Sequence, residues 1–469
     1  MKKSITILVL ILLLGLTNAM ATSTWSGSGT SSDPYQISTA AELALLATNV
    51  NAATPVTYEG VYFKLMNDID LTIYLASGGA GYNGGSFWLP IGGSKDINSD
   101  PKQFKGYFDG NSKIVSGLKI IRSGNAYIGL FGCIGATATI INIGVQIDAA
   151  SSITGDVAVG GVVGFNYGIV FNCFSTGTIN GFSAVGGVVG LNYSSVKYCY
   201  STATVSADSE TGGLVGTNQG AVNNSFSTGT TSSSHNITGY TGGLVGRNVQ
   251  GAISYCYATG AVGSASINIG GLTGEHYQGT ITNSYWDKTT TGQTTSPGSL
   301  ASSGKTTAEM KTQSTFSGWD FASTWGITNS YPFLLPAGPT PNAATNITSG
   351  SFTANWQATA AATAYYLDVS TNVGFTSFVN GYNNKNTGNV TSYNVGGLSG
   401  NTTYYYRVRY SNTVATSANS AGISVTTLNF SGGTGTIGDP YQITTAEDLN
   451  IVRNNLASTK YFKLMNDIF

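Results

Sequence analysis

The sequence predicts an all-β chain: a β-solenoid (β-helix) with coils of about 26–30 residues and terminal caps, followed by a β-sandwich. The first basis is a glycine-rich segment that recurs with starts at Gly160, Gly186, Gly212, Gly242 and Gly270, which lie 26, 26, 30 and 28 residues apart. Fixed periods of this kind are typical of folds whose units bury apolar surface only by stacking. The second basis is composition, because each copy holds Val, Ile, Phe, Tyr and Thr in short runs broken by Gly, Asn and Ser. Such runs indicate strands and turns rather than helices.

Aligning the copies brings similar residues into columns, as expected for parallel coils stacked about 4.8 Å apart. An aliphatic column consists of Val170, Val196, Val222, Ile253 and Ile281. An aromatic column consists of Phe174, Tyr200, Phe226, Tyr257 and Tyr285. Whether these rings point inward stays open, because the corners of a coil reset the two-residue alternation of its strands.

The third column alternates amides with aromatic rings: Asn172, Tyr198, Asn224, Tyr255 and Asn283. Tyrosine combines an apolar ring with a polar tip, which suits stacking on sugar rings beside amide contacts. Tyr198 and Tyr255 are therefore the candidate ligand-contacting aromatics.

The repeat glycines are candidate structural positions. We expect each to occupy a coil turn that needs either a positive φ or a close approach of neighbouring backbone. They are Gly161, Gly164, Gly187, Gly190, Gly213, Gly216, Gly243, Gly246, Gly271 and Gly274.

The pattern Gly-Gly-(Leu/Val)-(Val/Thr)-Gly, with a following Asn and Gly, resembles the GLUG repeat of large secreted and surface proteins of bacteria. The resemblance covers roughly residues 125–290. It implies a β-solenoid with an adhesin-like or structural role, and it implies no defined ligand.

The N-terminus has the three parts of a secretory signal peptide: Met1-Lys2-Lys3, an apolar run from Ile5 to Leu16, and Ala19-Met20-Ala21. The apolar run is shorter than the roughly 18 residues that a membrane span needs. We expect residues 1–21 to be removed and the product to be secreted or held at the cell surface, with no membrane insertion of the mature fragment.

Composition narrows the range of partners. Only 9% of residues are charged and the formal net charge is −1, so neither nucleic acid nor an anionic membrane is indicated. The 63 glycines together with 27 tyrosines suit stacked strands better than a disordered chain.

Residues 22–336 are predicted to form the capped solenoid. Thr39 and Glu42 make a capping box that opens a helix running to about Asn49, and Tyr62 to Leu71 is the first strand. At the other end, we expect Trp286, Trp319 and Trp325 to belong to a cap, with an aromatic ligand platform as the alternative.

After a Pro-rich linker, residues 337–428 alternate as short strands. Trp356 and the spacing from Leu398 to Val408 resemble a fibronectin type III module, in which Trp356 would be the core tryptophan and Tyr404 the corner tyrosine. Residues 429–469 repeat Asp33 to Leu43 and Tyr62 to Ile69, so we expect the truncated start of a second GLUG-type solenoid and a missing C-terminal part.

The sequence predicts no catalytic, metal or cofactor site. His235 and His276 lie in different units, and the acids Asp156, Asp208, Glu210, Glu275 and Asp287 are expected to share no column. Asn67-Asp68-Ile69-Asp70 offers too few oxygens for calcium and reads as a strand-end turn.

The four cysteines are expected to be buried free thiols. Cys173, Cys199 and Cys256 share a column with two serines, which indicates a preference for small side chains. A bridge between Cys173 and Cys199 on adjacent coils stays open, because export permits disulfides.

Together these features favour an exported, adhesin-like binding protein that is not an enzyme. Its candidate partners are an extracellular glycan or a host or surface protein. A passive structural spacer that presents a distal domain is the alternative, and a β-helix polysaccharide-degrading enzyme is the remote one.

Overall fold

A computed structural model describes residues 25–93, 101–148, 151–234, 239–264, 267–336, 338–359, 362–412, 416–453 and 459–468. The chain divides into two compact units, residues 1–309 and 310–469. The predicted signal peptide, residues 1–21, lies outside the described residues.

The first unit is a parallel β-solenoid whose described strands build four sheets. The first sheet contains Tyr35–Ile37, Tyr62–Leu65, Ile69–Asp70, Tyr107–Ser116, Thr139–Gln146, Ile169–Phe171, Phe174–Thr176, Ser195–Lys197, Tyr200–Ser201, Ala221–Asn223, Phe226–Ser227, Ala252–Ser254, Tyr257–Ala258, Thr280–Thr282, Tyr285–Asp287 and Gly304–Lys305. The second sheet contains Phe131–Ile134, Val163–Asn166, Val189–Asn192, Val215–Asn218, Val245–Val249 and Thr273–Tyr277.

The other two sheets complete each coil. The third sheet contains Ile120–Ile121, Ile153–Thr154, Thr178–Gly181, Thr204–Ala207, Thr231–Ser233 and Val262–Ser264. The fourth sheet contains Val157–Gly160, Ser183–Gly186, Thr211–Gly212, Tyr240–Gly242 and Asn268–Gly270. Short helices in this unit are Ala40–Val50, Thr72–Leu75, Asn83–Gly85, Lys288–Thr291 and Ala301–Ser303.

The register confirms that one repeat forms one coil. Val170 pairs in parallel with Val196, and Val196 pairs in turn with Val222. Ile253 and Ile281 continue the same column. Partners on adjacent strands are about 4.8 Å apart, so every repeat adds one layer to a continuous apolar core.

The aromatic column stabilises this stack from outside the core. The rings of Phe174, Tyr200, Phe226 and Tyr257 lie 4.9, 5.1 and 4.9 Å apart between centroids and within 8° of parallel. The residues that follow Phe174 and Tyr200, Ser175 and Ser201, are buried on the opposite side of the strand. Each ring covers the face of the next, so this column is a packing device.

The N-terminal end has the predicted helix. Thr39 Oγ1 accepts a hydrogen bond from the Glu42 N–H at 3.2 Å, and Glu42 Oε2 accepts one from the Thr39 N–H at 3.0 Å. The helix, Ala40–Val50, buries Leu43 and Leu46 against the solenoid core.

The predicted strand from Tyr62 to Leu71 is interrupted. The observed strands are Tyr62–Leu65 and Ile69–Asp70, and between them Asp68 Oδ1 accepts a hydrogen bond from the Ile114 N–H at 2.8 Å. Asp70 Oδ1 accepts one from the Thr72 N–H at 2.8 Å. The Asp70 carboxylate therefore fixes a turn at the strand end, as predicted for this motif, whereas the Asp68 carboxylate ties its segment to the strand Tyr107–Ser116.

Trp286 is fully buried at the last described coil of the solenoid. Its ring occupies the space beside Gly271 and Gly304, and its Nε1–H donates to the Gln293 carbonyl at 2.9 Å. The ring therefore closes the apolar core at this end, as a capping residue should.

The second unit begins with the end of the helix Thr307–Met310, the 3₁₀ helix Gln313–Thr315 and an antiparallel pair, Trp325–Gly326 with Phe333–Leu334. Trp325 is fully buried and Trp319 nearly so, with their ring centroids 4.4 Å apart. Rings without exposed faces cannot form the alternative ligand platform.

The second unit also contains an immunoglobulin-like sandwich, as predicted. One antiparallel sheet orders Pro341–Thr345, Ser351–Trp356 and Ser392–Gly396, and the other orders Lys385–Gly388, Ala364–Ser370, Thr403–Ser411 and Ile423–Thr426. The Tyr404 hydroxyl accepts a hydrogen bond from the Ser399 N–H at 2.9 Å, which is the expected tyrosine corner. Trp356 lies in the core.

The last segment repeats the geometry of the N-terminal cap. Tyr441–Ile443 pairs in parallel with Phe462–Leu464, as Tyr35–Ile37 pairs with Tyr62–Leu65. The helix Ala446–Val452 again begins at a capping box, here made by Thr445 and the fully buried Asp448. In the described part of the chain, none of the helices has the length and apolar character needed to cross a membrane.

Candidate functional site

A ladder of buried amides runs along the inside of the second sheet. Asn166, Asn192, Asn218 and Asn248 occupy one column and are fully buried. Each Nδ2 donates to the Oδ1 of the next asparagine at 2.7 Å. Because a buried polar group needs a partner, this ladder ties the coils together. Its signal in the sequence is the Asn that follows four of the five Gly-Gly patterns.

His276 occupies the last position of the ladder. Its Nδ1 lies 2.9 Å from Asn248 Nδ2. Since an amide nitrogen only donates, Nδ1 must accept and the imidazole must be neutral. The proton of the ring therefore sits on Nε2.

Acidification is expected to destabilise the solenoid through His276. An unfolded histidine has a pKa of about 6.5, whereas burial lowers the pKa of folded His276. The unfolded chain therefore binds more protons as the pH falls below about 6.5, and stability present above that pH is lost. We expect the melting temperature to drop by several degrees more in the wild type than in His276→Asn between neutral pH and about pH 5. Equal drops in circular-dichroism melts would show that His276 does not carry the effect.

All the predicted repeat glycines lie in the described residues, and none has a positive φ. Their requirement is instead close approach. A Cβ on Gly161, Gly187, Gly213 or Gly243 would lie 2.2 to 2.6 Å from the carbonyl oxygen of the equivalent glycine on the next coil. At Gly271 it would lie 2.0 Å from the Trp286 ring. Backbone atoms also stand 2.3 to 2.7 Å from a Cβ placed on Gly164, Gly190, Gly216, Gly246 or Gly274.

Tyr198 and Tyr255 lie at a left-handed corner of the coil, with φ of 55° and 54°. The same corner is made by Asn142, Asn172, Asn224 and Asn283, with φ between 44° and 54°. Asparagine adopts this conformation readily, whereas tyrosine does so at a cost of about 1–2 kcal/mol. Both tyrosines are half-buried, and two coil steps of about 4.8 Å separate them.

The corner also holds a second aromatic ring and a cation. The Tyr198 ring packs edge-on against Phe171 at 5.0 Å between centroids, and Lys197 Nζ lies 4.7 Å from its centroid. Much of the Tyr198 ring is therefore already in contact with its own chain.

A second tyrosine surface was not predicted. The residues directly after the ladder positions are half-buried or exposed, and they lie at the end of a second-sheet strand or just beyond it: Tyr167, Tyr193, Gln219, Val249 and Tyr277. These positions and the ones that follow them present a set of aromatic and amide side chains, which we call the Tyr/Gln strip: Tyr167, Tyr193, Gln219, Gln250, Tyr277 and Gln278. The signal in the sequence was a Tyr or Gln within two residues of the Asn or His that follows each glycine pattern.

The strip contains the more exposed tyrosines. Tyr193 is 42% exposed and Tyr277 is 55% exposed. Gln219 Nε2 donates to the Tyr193 hydroxyl at 3.0 Å, and Gln250 Nε2 donates to Gln278 Oε1 at 3.1 Å. From coil to coil the strip therefore presents first Tyr167 and Tyr193, then Gln219 and Gln250, and finally Tyr277 with Gln278.

Charged side chains beside the strip are engaged with one another. Arg247 forms an ion pair with Glu275, and its guanidinium lies 5.3 Å from the Tyr240 ring centroid. Glu210 accepts a hydrogen bond from the Ser183 hydroxyl. These groups hold neighbouring coils in register.

The prediction that the acids share no column was wrong for two of them. Asp156 and Asp208 occupy the same corner on alternate coils with Phe182 between them, as the backbone bonds Phe182 N–H to Asp156 O and Asp208 N–H to Phe182 O show. An alignment of the glycines already shows this column, because Asp156 and Asp208 each lie four residues before a Gly-Gly pair, at Gly160 and Gly212. Asp287 is buried and accepts from the Thr289 and Thr290 N–H groups at 2.8 and 3.2 Å. Among the residues with described positions, no group of three or more His, Cys, Asp or Glu could hold a metal, and His235 lies outside them.

The four cysteines are buried free thiols. The Cys173 N–H donates to Cys199 Sγ at 3.5 Å, and the Cys199 N–H donates to Ser225 Oγ at 3.0 Å. Burial raises the pKa of Cys133 and of Cys256 to about 12. Since the thiolate is the reactive form, Cys133 in the second sheet and Cys256 in the column of small side chains are unreactive packing groups.

Comparison with known proteins identifies the repeats. The GLUG motif matches residues 155–180, 183–206 and 237–263, so the chain carries GLUG repeats. Similar proteins include a "Putative Gly-rich membrane protein" from Evansella cellulosilytica, 36% identical over 146 residues, and "Halomucin" from Haloquadratum walsbyi, 31% identical over 158 residues. These alignments cover 31% and 34% of this chain but only 15% and 2% of those proteins. The relatives indicate a surface-associated repeat protein.

Solved structures that are similar to part of the chain include a fibronectin type III domain. The sixth such domain of human fibronectin type III domain containing protein 3 is 23% identical, and the FN5 domain of Drosophila Lar is 22% identical. Each match covers 20% of this chain and 86% or 98% of the other, with a TM-score of 0.17. The sandwich fold described above rests on its own strand pairing.

Proposed function

We propose that the protein is an exported, non-catalytic adhesin-like protein that binds a glycan through the outer surface of its solenoid. The observation that carries the proposal is the row of exposed tyrosine rings beside amide side chains, Tyr193 and Tyr277 with Gln219 and Gln250. Aromatic rings stack on the apolar faces of sugars, and amides bond to hydroxyl groups. The resemblance to surface-associated repeat proteins supports the cellular setting.

The acidic side chains support binding over catalysis. A glycosidase directs two carboxyl groups at one glycosidic bond. Here Asp287 caps a helix, Glu275 pairs with Arg247, and Asp208 accepts from Ser234. Carboxylates that are committed to such contacts maintain the fold.

A passive spacer is the second candidate. The amide ladder and the parallel aromatic column continue from coil to coil, with ring centroids about 5 Å apart. Both devices would give a stiff shaft even if the outer surface bound nothing.

The mature chain, residues 22–469, is expected to bind extracellular glycans weakly and to cleave none. Multivalent display makes weak sites sufficient at a surface. A glycan array tests binding, and an assay for new reducing ends on the same polysaccharides tests cleavage. Reducing ends whose release is abolished by one acidic substitution would contradict the proposal, and no signal in either assay would favour the spacer.

A further inference from the structure

We infer that the Tyr/Gln strip, rather than the corner of Tyr198 and Tyr255, is the binding surface and that it takes an uncharged glycan lying along the solenoid axis. This inference rests on the proposed function. It names the chemical class of the ligand, its direction and the side chains that contact it.

Ring exposure distinguishes the strip from the other aromatic surfaces. The column from Phe174 to Tyr257 is stacked ring on ring, so its faces are occupied. Tyr198 is covered in part by Phe171 and Lys197. Tyr193 and Tyr277 keep more exposed surface than Tyr198 or Tyr255, and stacking on a sugar requires such surface.

The register sets the direction of the ligand. The ladder residues Asn166, Asn192, Asn218, Asn248 and His276 are direct partners on successive strands. The strip residues that follow the ladder residues therefore lie on successive coils. The line from Tyr167 to Tyr277 spans four coil steps, about 19 Å. An extended oligosaccharide along this line would meet the rings of Tyr167 and Tyr193 at one end, amide side chains on the next two coils, and the Tyr277 ring at the other end.

The strip is prepared for binding before the ligand arrives. The Tyr193 ring packs against Phe165 and Tyr167 at 5.4 and 5.3 Å between centroids. Its hydroxyl is held by Gln219. Since immobilising side chains weakens binding, rings that are already fixed lose little freedom when a sugar stacks on them.

Charge identifies the ligand as a neutral glycan. The only ionisable groups of the strip itself are tyrosine hydroxyls, and burial raises the pKa of Tyr167 further above neutrality. The neighbouring Arg247 is neutralised by Glu275. Sulfate or uronate groups would therefore find no unpaired cation within the strip.

Affinity electrophoresis of the full mature chain tests this inference. The probes are gels containing hydroxyethylcellulose, galactomannan or xyloglucan, with alginate as the anionic comparison. We expect retardation in at least one neutral gel, about tenfold weaker for Tyr193→Ala/Tyr277→Ala. The matched variant Tyr198→Ala/Tyr255→Ala should be retarded like the wild type, and thermal melts should show both variants folded.

The outcomes separate this inference from the proposed function. If only the corner variant loses retardation, or if alginate alone retards the protein in a salt-sensitive way, the strip assignment is overturned while glycan binding stands. If the wild type is retarded by none of the four polysaccharides, both are overturned. Should Tyr193→Ala/Tyr277→Ala fail to fold, Tyr193→Leu/Tyr277→Leu keeps apolar bulk, and unchanged retardation would then overturn the inference.

Discussion

Gly213→Val is expected to lower the melting temperature of the solenoid by about 6–12 °C, corresponding to at least about 3 kcal/mol. A Cβ on Gly213 would lie 2.2 Å from the Gly243 carbonyl oxygen and 2.2 Å from Ser227 Oγ. The hydroxyl could rotate away, but the carbonyl belongs to the next coil. Moving it would shift the backbone that stacks on every later layer.

Gly263→Val is the matched control. Gly263 lies in the strand Val262–Ser264 of the same solenoid, and a Cβ there would meet only the Thr231 carbonyl oxygen at 4.0 Å. Since valine suits a strand, this variant should melt within a degree or two of the wild type. Thermal melts followed by circular dichroism compare the two. If Gly213→Val melts like the control but loses glycan binding, the glycines belong to a binding site instead.

Features that depend on spacing alone could be predicted from the sequence. The steps between glycine patterns placed Val170, Val196 and Val222 in one column, and their pairing follows it. The Thr39 capping box and the Tyr404 corner were also predictable. The capping box and the corner each depend on residues only a few positions apart, and the column depends only on the length of the repeat, so no knowledge of the coil shape was needed.

The directions of the side chains could not be predicted, because left-handed corners interrupt the alternation of each coil. Asn172, with a φ of 51°, lies between the strands Ile169–Phe171 and Phe174–Thr176. The inward or outward direction of the side chains in the first strand therefore does not determine the direction of the Phe174 side chain. This is why the sequence did not determine whether the stacked rings of the aromatic column point inward or outward. The choice of Tyr198 and Tyr255 also relied on residue type without knowledge of ring exposure.

The ladder shows what the repeat motif encodes beyond glycine. Close glycine contacts bring coils together, and Asn192 and Asn218 then each find an asparagine amide on both neighbouring coils. A buried amide needs partners for both its oxygen and its nitrogen; the neighbouring coils supply them within the ladder, and the Gly168 N–H supplies one to Asn166 Oδ1 at its first member. The repeat is thereby fixed in register, while outward positions such as Tyr193 and Gln219 are free of this constraint.

Asn218→Ala is expected to destabilise the solenoid by about 3–5 kcal/mol. The Asn218 amide accepts from Asn192 Nδ2 and donates to Asn248 Oδ1, both at 2.7 Å, and is fully buried. Alanine leaves a donor on one coil and an acceptor on the other without their ladder partner, and each such loss costs about 1–3 kcal/mol. Asn223→Ala, which removes a half-buried amide bonded to Ser254, is the control and should cost under about 1 kcal/mol.

A double-mutant cycle with Asn192→Ala tests whether the ladder acts as one unit. Each single substitution leaves two ladder groups without their hydrogen-bond partner. The double substitution also leaves only two groups without their ladder partner, Asn166 Nδ2 and Asn248 Oδ1. The hydrogen bond between the two substituted sites is removed together with both of its groups. The cost of the double variant in urea unfolding should therefore fall short of the sum of the singles by about 1–3 kcal/mol. Strictly additive costs would show that the amides contribute independently and that the column is not a cooperative ladder.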